Sequence, residues 1–336
     1  MKQLVCLRNN HVEIRDMPEP LAGAGELLVR MSACGICGTD LMKVYDAGTV
    51  KPVQLGHEIV GTVLDVGPGV TRFSRGQRVA VAHHAPDFKS HYAKRGSATQ
   101  DPVFKTSNVE PGGFADVIRV PANLVPHTVF AIPDDMPDMR AVFMEPLACC
   151  LRALDRAPVA DGDTVLVVGV GSIGLLFVPL LCSRGVTVVA ADVRAERLAI
   201  AKHWGAVIGS DDIAAQTKLS SGGRGSDLVI LTVVNPATLD LALTCVRDGG
   251  CIIPFGVKPD MMPPVDLWQL YRREISLVTS YSTTPDLLGR ALGLLGQPEF
   301  ALETTISHKF PLRNAAQGFA LLRDAKASKV VITGQT

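Results

Sequence analysis

The residues of this chain whose types and spacing suit metal chemistry lie in three short stretches. They are Cys34-Gly35-Ile36-Cys37-Gly38-Thr39-Asp40, Gly56-His57-Glu58 and Glu145-Pro146. No second close Cys-x-x-Cys pair follows to complete a four-thiolate knuckle. A catalytic zinc instead takes about three protein ligands of mixed type and keeps one position open. Cys37, His57 and a carboxylate supply such a set.

A second constellation concerns a phosphate-bearing cofactor. Gly169-Val170-Gly171-Ser172-Ile173-Gly174 follows a continuous apolar run, Thr164-Val165-Leu166-Val167-Val168, and opens an apolar stretch from Ile173 to Cys182. In that context Gly169 permits a tight turn, Gly171 lets the backbone approach a pyrophosphate, and Gly174 allows close packing of helix on strand. The helix start, with Ser172 and Ile173, supplies free N–H groups and a positive dipole end. Asp192 stands 18 residues beyond Gly174, where a carboxylate accepts hydrogen bonds from a ribose and repels a 2′-phosphate. This predicts NAD(H) rather than NADP(H), with Arg194 and Arg197 close enough to soften the preference.

The elements that must carry these residues fall into two styles. The first 130 residues read as short strands punctuated by turns, among them Leu27–Met31, Ile59–Leu64 and Gln77–Val81, as in a small β-barrel-like domain. Beyond Met144 the rhythm changes to buried strands alternating with helices: Thr164–Val168, Val186–Ala191, Leu228–Thr232, Cys251–Phe255 and Ile275–Thr279. That alternation predicts an α/β, doubly wound parallel sheet. The tail, from Ile306 to Ile332, reads as strand, helix and strand returning to the first domain. The expected division is therefore 1–150, completed by 284–336, and 151–283.

Composition excludes several classes. Lys plus Arg and Asp plus Glu both number 33 in 336 residues, so no overall field favours nucleic acid or a membrane surface. No apolar stretch approaches the roughly 20 residues of a membrane span. The start, Met1–Arg8, is too short and too soon charged for a secretory signal core. Eight cysteines in so long a chain argue for a reducing, cytoplasmic setting rather than a disulfide scaffold. Cys34 reads as a core residue, and the loop histidines His83, His84 and His91 as solvated or satisfied locally.

Taken in order, Cys34–Asp40, Gly56-His57-Glu58, Gly112-Gly113-Phe114-Ala115, Glu145-Pro146-Leu147 and Gly169–Gly174 resemble the zinc-containing medium-chain dehydrogenase/reductase family. The similarity is strongest to its sorbitol and threonine dehydrogenase branches. The resemblance implies a GroES-like catalytic domain beside a Rossmann domain, and zinc- and NAD(H)-dependent interconversion of a secondary alcohol and its ketone. The substrate expected is a polyol, sugar alcohol or amino alcohol. It also implies Cys37 as the thiolate ligand, His57 as the imidazole ligand, and Glu58 or Glu145 as the carboxylate, directly or through water. Asp40 would hold the His57 ring, and Thr39 would hydrogen-bond the reacting oxygen. Relatives assemble as homodimers or homotetramers, with the strand near Ile275–Thr279 a candidate edge for that pairing.

The pattern is broken at two places. Where relatives carry a second, structural zinc on four cysteines, this chain has Asp87, Ser90, Ala93 and Asp101. One zinc per chain is therefore expected, with both carboxylates solvated on a loop that lacks its metal clip. The position where several relatives place a proton-relaying histidine is Met42, followed by Lys43 as a weak substitute. Two other readings fit parts of the pattern: a zinc-free NADPH-dependent reductase on the same fold, and a catalytically silent nucleotide-binding protein.

Overall fold

The computed structural model describes residues 1–334 except 158, 210, 259, 260, 262 and 263. The chain divides into two compact units, Met1–Ala148 with Thr283–Thr336, and Cys149–Ser282.

The first unit is built around the strand Leu27–Gly35, whose nine residues alternate little and are almost all buried. It is flanked on both sides. Glu58–Val66 pairs with it antiparallel, as do Lys329–Thr333 on the opposite edge and Val117–Val120. The sheet continues through Arg78–Val81 to Val129–Ala131, and Ile306–Pro311 lies outside Lys329–Thr333. Strands buried on both faces suit such apolar runs. Leu27, Val29, Met31, Ile59, Val63, Val79, Ile118, Val330 and Ile332 share one core with Phe114 and Phe319, whose rings meet edge to face at 5.8 Å. Phe114, part of the Gly112–Ala115 motif, is 1% exposed and belongs to the core.

In register, Gly35 lies opposite Glu58 and Cys34 opposite Ile59, while Val331 faces Gly35 from the other side. One strand end thus brings Cys37, Glu58 and Lys329 to one place. The helix Gly38–Tyr45 starts there.

The second unit is a parallel sheet of six strands among the described residues. Its strands are Thr164–Val168, Thr187–Ala191, Val207–Ile208, Ser226–Leu231, Val246–Pro254 and Ser276–Leu277. Numbered within the unit, their order is 3-2-1-4-5-6, the doubly wound arrangement that binds dinucleotides at the carboxyl ends of its strands. No helix among the described residues is long and apolar enough to cross a membrane.

The segment that carries Asp87, Ser90, Ala93 and Asp101 corrects one expectation. Asp87 is exposed, but Asp101 is 1% exposed and organises the segment. Its Oδ1 accepts hydrogen bonds from the backbone N–H of Asp87 at 3.1 Å, Val103 at 2.9 Å and Phe104 at 3.2 Å, capping the helix Pro102–Thr106. Ser90 caps His91–Lys94 in the same way, through Ala93 N–H at 3.2 Å. Burial alone would raise the Asp101 carboxyl, but hydrogen bonds from Ser90 and these backbone donors hold it below its ordinary value. The carboxylate is thus held in the segment by donors the chain itself provides, rather than left to water.

A depressed carboxyl contributes stability that is present above its unfolded pKa and lost as pH falls through its folded value. Asp101→Ala should therefore loosen residues 87–107 at neutral pH, raising protease cleavage there about ten-fold. Wild type should show the same loosening only in acid, below the ordinary carboxylate range. Unchanged cleavage of the variant at pH 7 would contradict the role assigned to Asp101.

Candidate metal and cofactor sites

Among the described residues, Cys37, His57 and Glu58 form the group able to share one metal ion. A sulfur, a ring nitrogen and a carboxylate oxygen lie within 4.8 Å of one another. Cys37 caps the helix Gly38–Tyr45, and Asp40 in its first turn reaches back so that Oδ2 accepts the Cys37 N–H at 3.1 Å. Oδ1 of the same carboxylate accepts the Gly56 N–H at 2.9 Å and lies 3.5 Å from His57 Nδ1. Asp40, fully buried, therefore fixes both chain segments that carry the sulfur and the imidazole. Metal-binding histidines generally lean on such a partner.

The electrostatics follow from burial. Burial raises the Asp40 carboxyl, but the facing His57 charge and the hydrogen bonds hold it below its ordinary value. Burial would equally keep His57 neutral, yet Asp40 and Cys37 pull its pKa well above the usual one. A metal taking the ring nitrogen must therefore expel a proton, which makes its binding pH-dependent.

Glu58 is 1% exposed. One of its oxygens, Oε2, accepts a hydrogen bond from the Lys329 ammonium, itself buried. The other, Oε1, is buried with no hydrogen-bond partner. A carboxylate oxygen left bare in the interior is costly, and a cation beside Cys37 and His57 would satisfy it. This donor set of sulfur, nitrogen and oxygen with one carboxylate fits zinc with an open fourth position. Glu145, the competing carboxylate by sequence, is buried on the helix Met144–Arg156 but lies outside the trio. Its charge is felt by Lys329. Thr39 is exposed, with Oγ1 3.8 Å from Cys37 Sγ. Cys34 is fully buried. Lys43 donates to the Gln54 carbonyl at 3.1 Å.

Lys329 is not among the residues that motif spacing singles out, because it lies 271 residues from Glu58. The available signal is a lone lysine at the head of an apolar strand, Lys329-Val330-Val331-Ile332. Burial lowers its pKa, but Glu58, Cys37 and Glu145 together raise it above the ordinary value, so it stays charged. Gly35 is required opposite this pair, since a Cβ there would strike Glu58 Oε2 and lie 2.9 Å from Lys329 Nζ.

At the second site, Gly169 has φ +86°, and a Cβ at Gly174 would strike the Gly169 carbonyl. Gly171 is open: a Cβ added there would meet nothing nearer than the Arg197 guanidinium, at 3.6 Å. The helix Gly174–Cys182 follows Ser172 and Ile173, and Ile173 at its cap makes no side-chain hydrogen bond, which leaves that end fit for an anion. Asp192 follows the strand Thr187–Ala191. Its Oδ2 accepts the Val170 N–H at 2.8 Å and its Oδ1 the Arg194 N–H at 2.9 Å. Arg197 Nη1 stands 3.6 Å from Oδ2. The acid thus ties the glycine turn to the end of the next strand.

Removing one partner of a buried ion pair leaves the other uncompensated, at a cost of about 3–5 kcal/mol. Lys329→Met should lower unfolding stability by that order in chemical denaturation, with Lys329→Arg recovering part of it. Full stability in the methionine variant would contradict the pairing.

Known proteins resemble this chain along most of its length. Residues 23–134 match the family described as the alcohol dehydrogenase GroES-like domain, and residues 172–296 match that of zinc-binding dehydrogenases. A probable zinc-binding alcohol dehydrogenase of Mycobacterium tuberculosis is 31% identical, over 96% of this chain and 85% of its own. A sorbitol dehydrogenase of Bacillus subtilis is 30% identical, over 82% and 81%. The solved galactitol-1-phosphate dehydrogenase of Escherichia coli superposes with a TM-score of 0.87 at 27% identity, covering 99% of this chain and 100% of that one. With both domain patterns present in order and relatives matched along most of its length, the chain belongs to the zinc-binding medium-chain alcohol dehydrogenases.

Proposed function

We propose that the protein oxidises a secondary alcohol bearing further hydroxyl or amino groups to its ketone, and catalyses the reverse reduction. The cofactor would be NAD(H), and one zinc would be held by Cys37, His57 and Glu58. The observation that carries this reading is the convergence within 4.8 Å of a sulfur, an imidazole nitrogen and an oxygen of Glu58, a carboxylate that keeps one buried oxygen bare. That arrangement also disfavours a zinc-free reductase, which would have no use for it.

A zinc ion bound there supplies Lewis acidity that lowers the pKa of a substrate hydroxyl toward neutrality. Thr39 orients that hydroxyl and accepts its proton, from a hydroxyl 3.8 Å from Cys37 Sγ that is open enough to pass it on. Asp40 keeps His57 in place throughout. The glycine turn at Gly169, Gly171 and Gly174 and the uncapped helix start hold the pyrophosphate, and Asp192 receives the ribose. The substrate class is supported by the sorbitol and galactitol-1-phosphate enzymes among the relatives. A soluble cytoplasmic enzyme assembled as a homodimer or homotetramer completes the proposal.

Metal analysis should return one zinc per chain, since no cysteine remains at positions 87, 90, 93 and 101. Cys37→Ser should lose that zinc and reduce turnover by about a thousand-fold or more. Two tightly held zincs, or a serine variant with full metal and activity, would contradict the assignment. In steady-state kinetics kcat/KM should favour NAD over NADP, and Asp192→Ala should narrow the ratio about ten-fold or more by freeing Arg197 for a 2′-phosphate. A wild-type preference for NADP would refute the cofactor assignment.

A further inference from the structure

Thr39 lies in the first turn of the helix Gly38–Tyr45 and Lys43 in its last. Residues four apart on an α-helix are neighbours on one face, with Cβ atoms about 5–6 Å apart. Thr39 Oγ1 in turn stands 3.8 Å from Cys37 Sγ. The stem of Lys43 therefore starts one helical turn from the hydroxyl that would hold the reacting oxygen. Its Nζ donates to the Gln54 carbonyl at 3.1 Å, on the segment that continues through Gly56 to the ligand His57. Both ends of the side chain are thus fixed close to the metal-ligand trio.

Among the described residues, Lys43 has no carboxylate within ion-pair distance, and Gln54 is the acceptor its ammonium finds. Asp40, three residues back on the same helix, spends its oxygens on the N–H groups of Cys37 and Gly56 and faces His57. The other groups that feel the lysine are imidazoles. The rings of His57, His83 and His84 follow one another with centroids 4.7 Å and 3.7 Å apart. Burial lowers the pKa of His83 and of His84, and the positive charges of His57 and Lys43 lower both further. His84 is locally satisfied, with Nδ1 2.6 Å from the Ser107 carbonyl oxygen, while His83 Nδ1 is buried without a hydrogen-bond partner. An ammonium held by a neutral carbonyl, with its field falling on imidazoles, is a cation without its anion. Lys43 is only half-buried, so an incoming group can reach it.

We propose that Lys43 is a specificity-determining residue: its ammonium pairs with an oxyanion of the substrate, a carboxylate or a phosphate on the same carbon chain as the reacting carbinol, so that the enzyme selects aldonates or alditol phosphates over neutral alditols. This rests on the dehydrogenase reading above and names the charge of the substrate, which that reading leaves open. A lysine ammonium is a compact point charge that serves either oxyanion. A neutral analogue leaves it unpaired, and sites built around a polar partner discriminate against substrates that lack it.

The test measures kcat/KM for NAD-dependent oxidation of four- to six-carbon aldonates, alditol phosphates and alditols of the same chain length, with zinc content determined in each protein. Wild type should favour at least one class of anion over the matching alditol by about ten-fold or more, and the faster class identifies the oxyanion. Raising the ionic strength should erode that preference, a readout that needs no variant. Lys43→Gln keeps a donor for the Gln54 carbonyl and removes the charge. It should lower the anion-to-alditol ratio by about ten-fold with zinc content at the wild-type level, and Lys43→Arg should recover part of the ratio. A wild type that oxidises alditols as well as either anion overturns the assignment of Lys43 alone. A ratio unchanged in Lys43→Gln, or a parallel loss on anions and alditols, does the same. A wild type that oxidises no alcohol of any kind with zinc bound overturns the dehydrogenase reading and this one with it.

Discussion

The buried ion pair between Lys329 and Glu58 constrains everything around the metal-ligand trio. Taking an ammonium and a carboxylate out of water costs several kcal/mol for each ion, and their mutual attraction repays this only when geometry and further hydrogen bonds are favourable. Here the pair forms where two strands flank the central strand Leu27–Gly35 on opposite sides. The last strand of the chain is thereby locked to a residue near its start. Lys329 occupies one carboxylate oxygen and leaves the other bare. A simple structural salt bridge would satisfy both oxygens. The carboxylate belongs to a group in which sulfur and imidazole already converge, and that is the physical reason to read the cluster as a metal centre.

Asp40 plays a complementary part on the other side. One carboxylate accepts the backbone N–H of Cys37 and that of Gly56 and stands 3.5 Å from the ring of His57, so two ligands from separate segments share one anchor. Asp101 repeats the device at a distance. There a buried carboxylate gathers N–H donors from Asp87, Val103 and Phe104. Both carboxylates hold chain segments together through backbone hydrogen bonds. Phe104, positioned by Asp101, is the outer end of the ring column that runs through His84 and His83 to His57. The segment held by Asp101 and the group Cys37, His57 and Glu58 are thus joined by ring contacts.

Local signals carry most of what can be read from sequence. The glycine turn is contiguous and its mechanics depend on neighbours, so Gly169, Gly171 and Gly174 are legible from strand, turn and helix alone. The doubly wound sheet follows from its apolar rhythm. Cys37, His57 and Glu58 are legible as ligand types, but spacing leaves Glu58 and Glu145 undecided, because which carboxylate reaches the trio depends on the register of Gly35 opposite Glu58. Lys329 is illegible for the same reason: a pairing across 271 residues leaves no local trace. Asp101 reads as solvated because an aspartate in a polar loop gives no sign that three backbone donors will close on it. His83 carries no signal either, since burial of a single ring nitrogen is a property of packing.

The central claim is that one sulfur, one imidazole and one carboxylate share a single zinc. X-ray absorption at the zinc edge of the purified protein tests it most directly. The account predicts a four-coordinate shell with one sulfur at about 2.3 Å and the remaining ligands nitrogen or oxygen at about 2.0–2.2 Å. That sulfur should disappear in a variant lacking the Cys37 thiol. A shell of several sulfurs, or one with no sulfur at all, would contradict it.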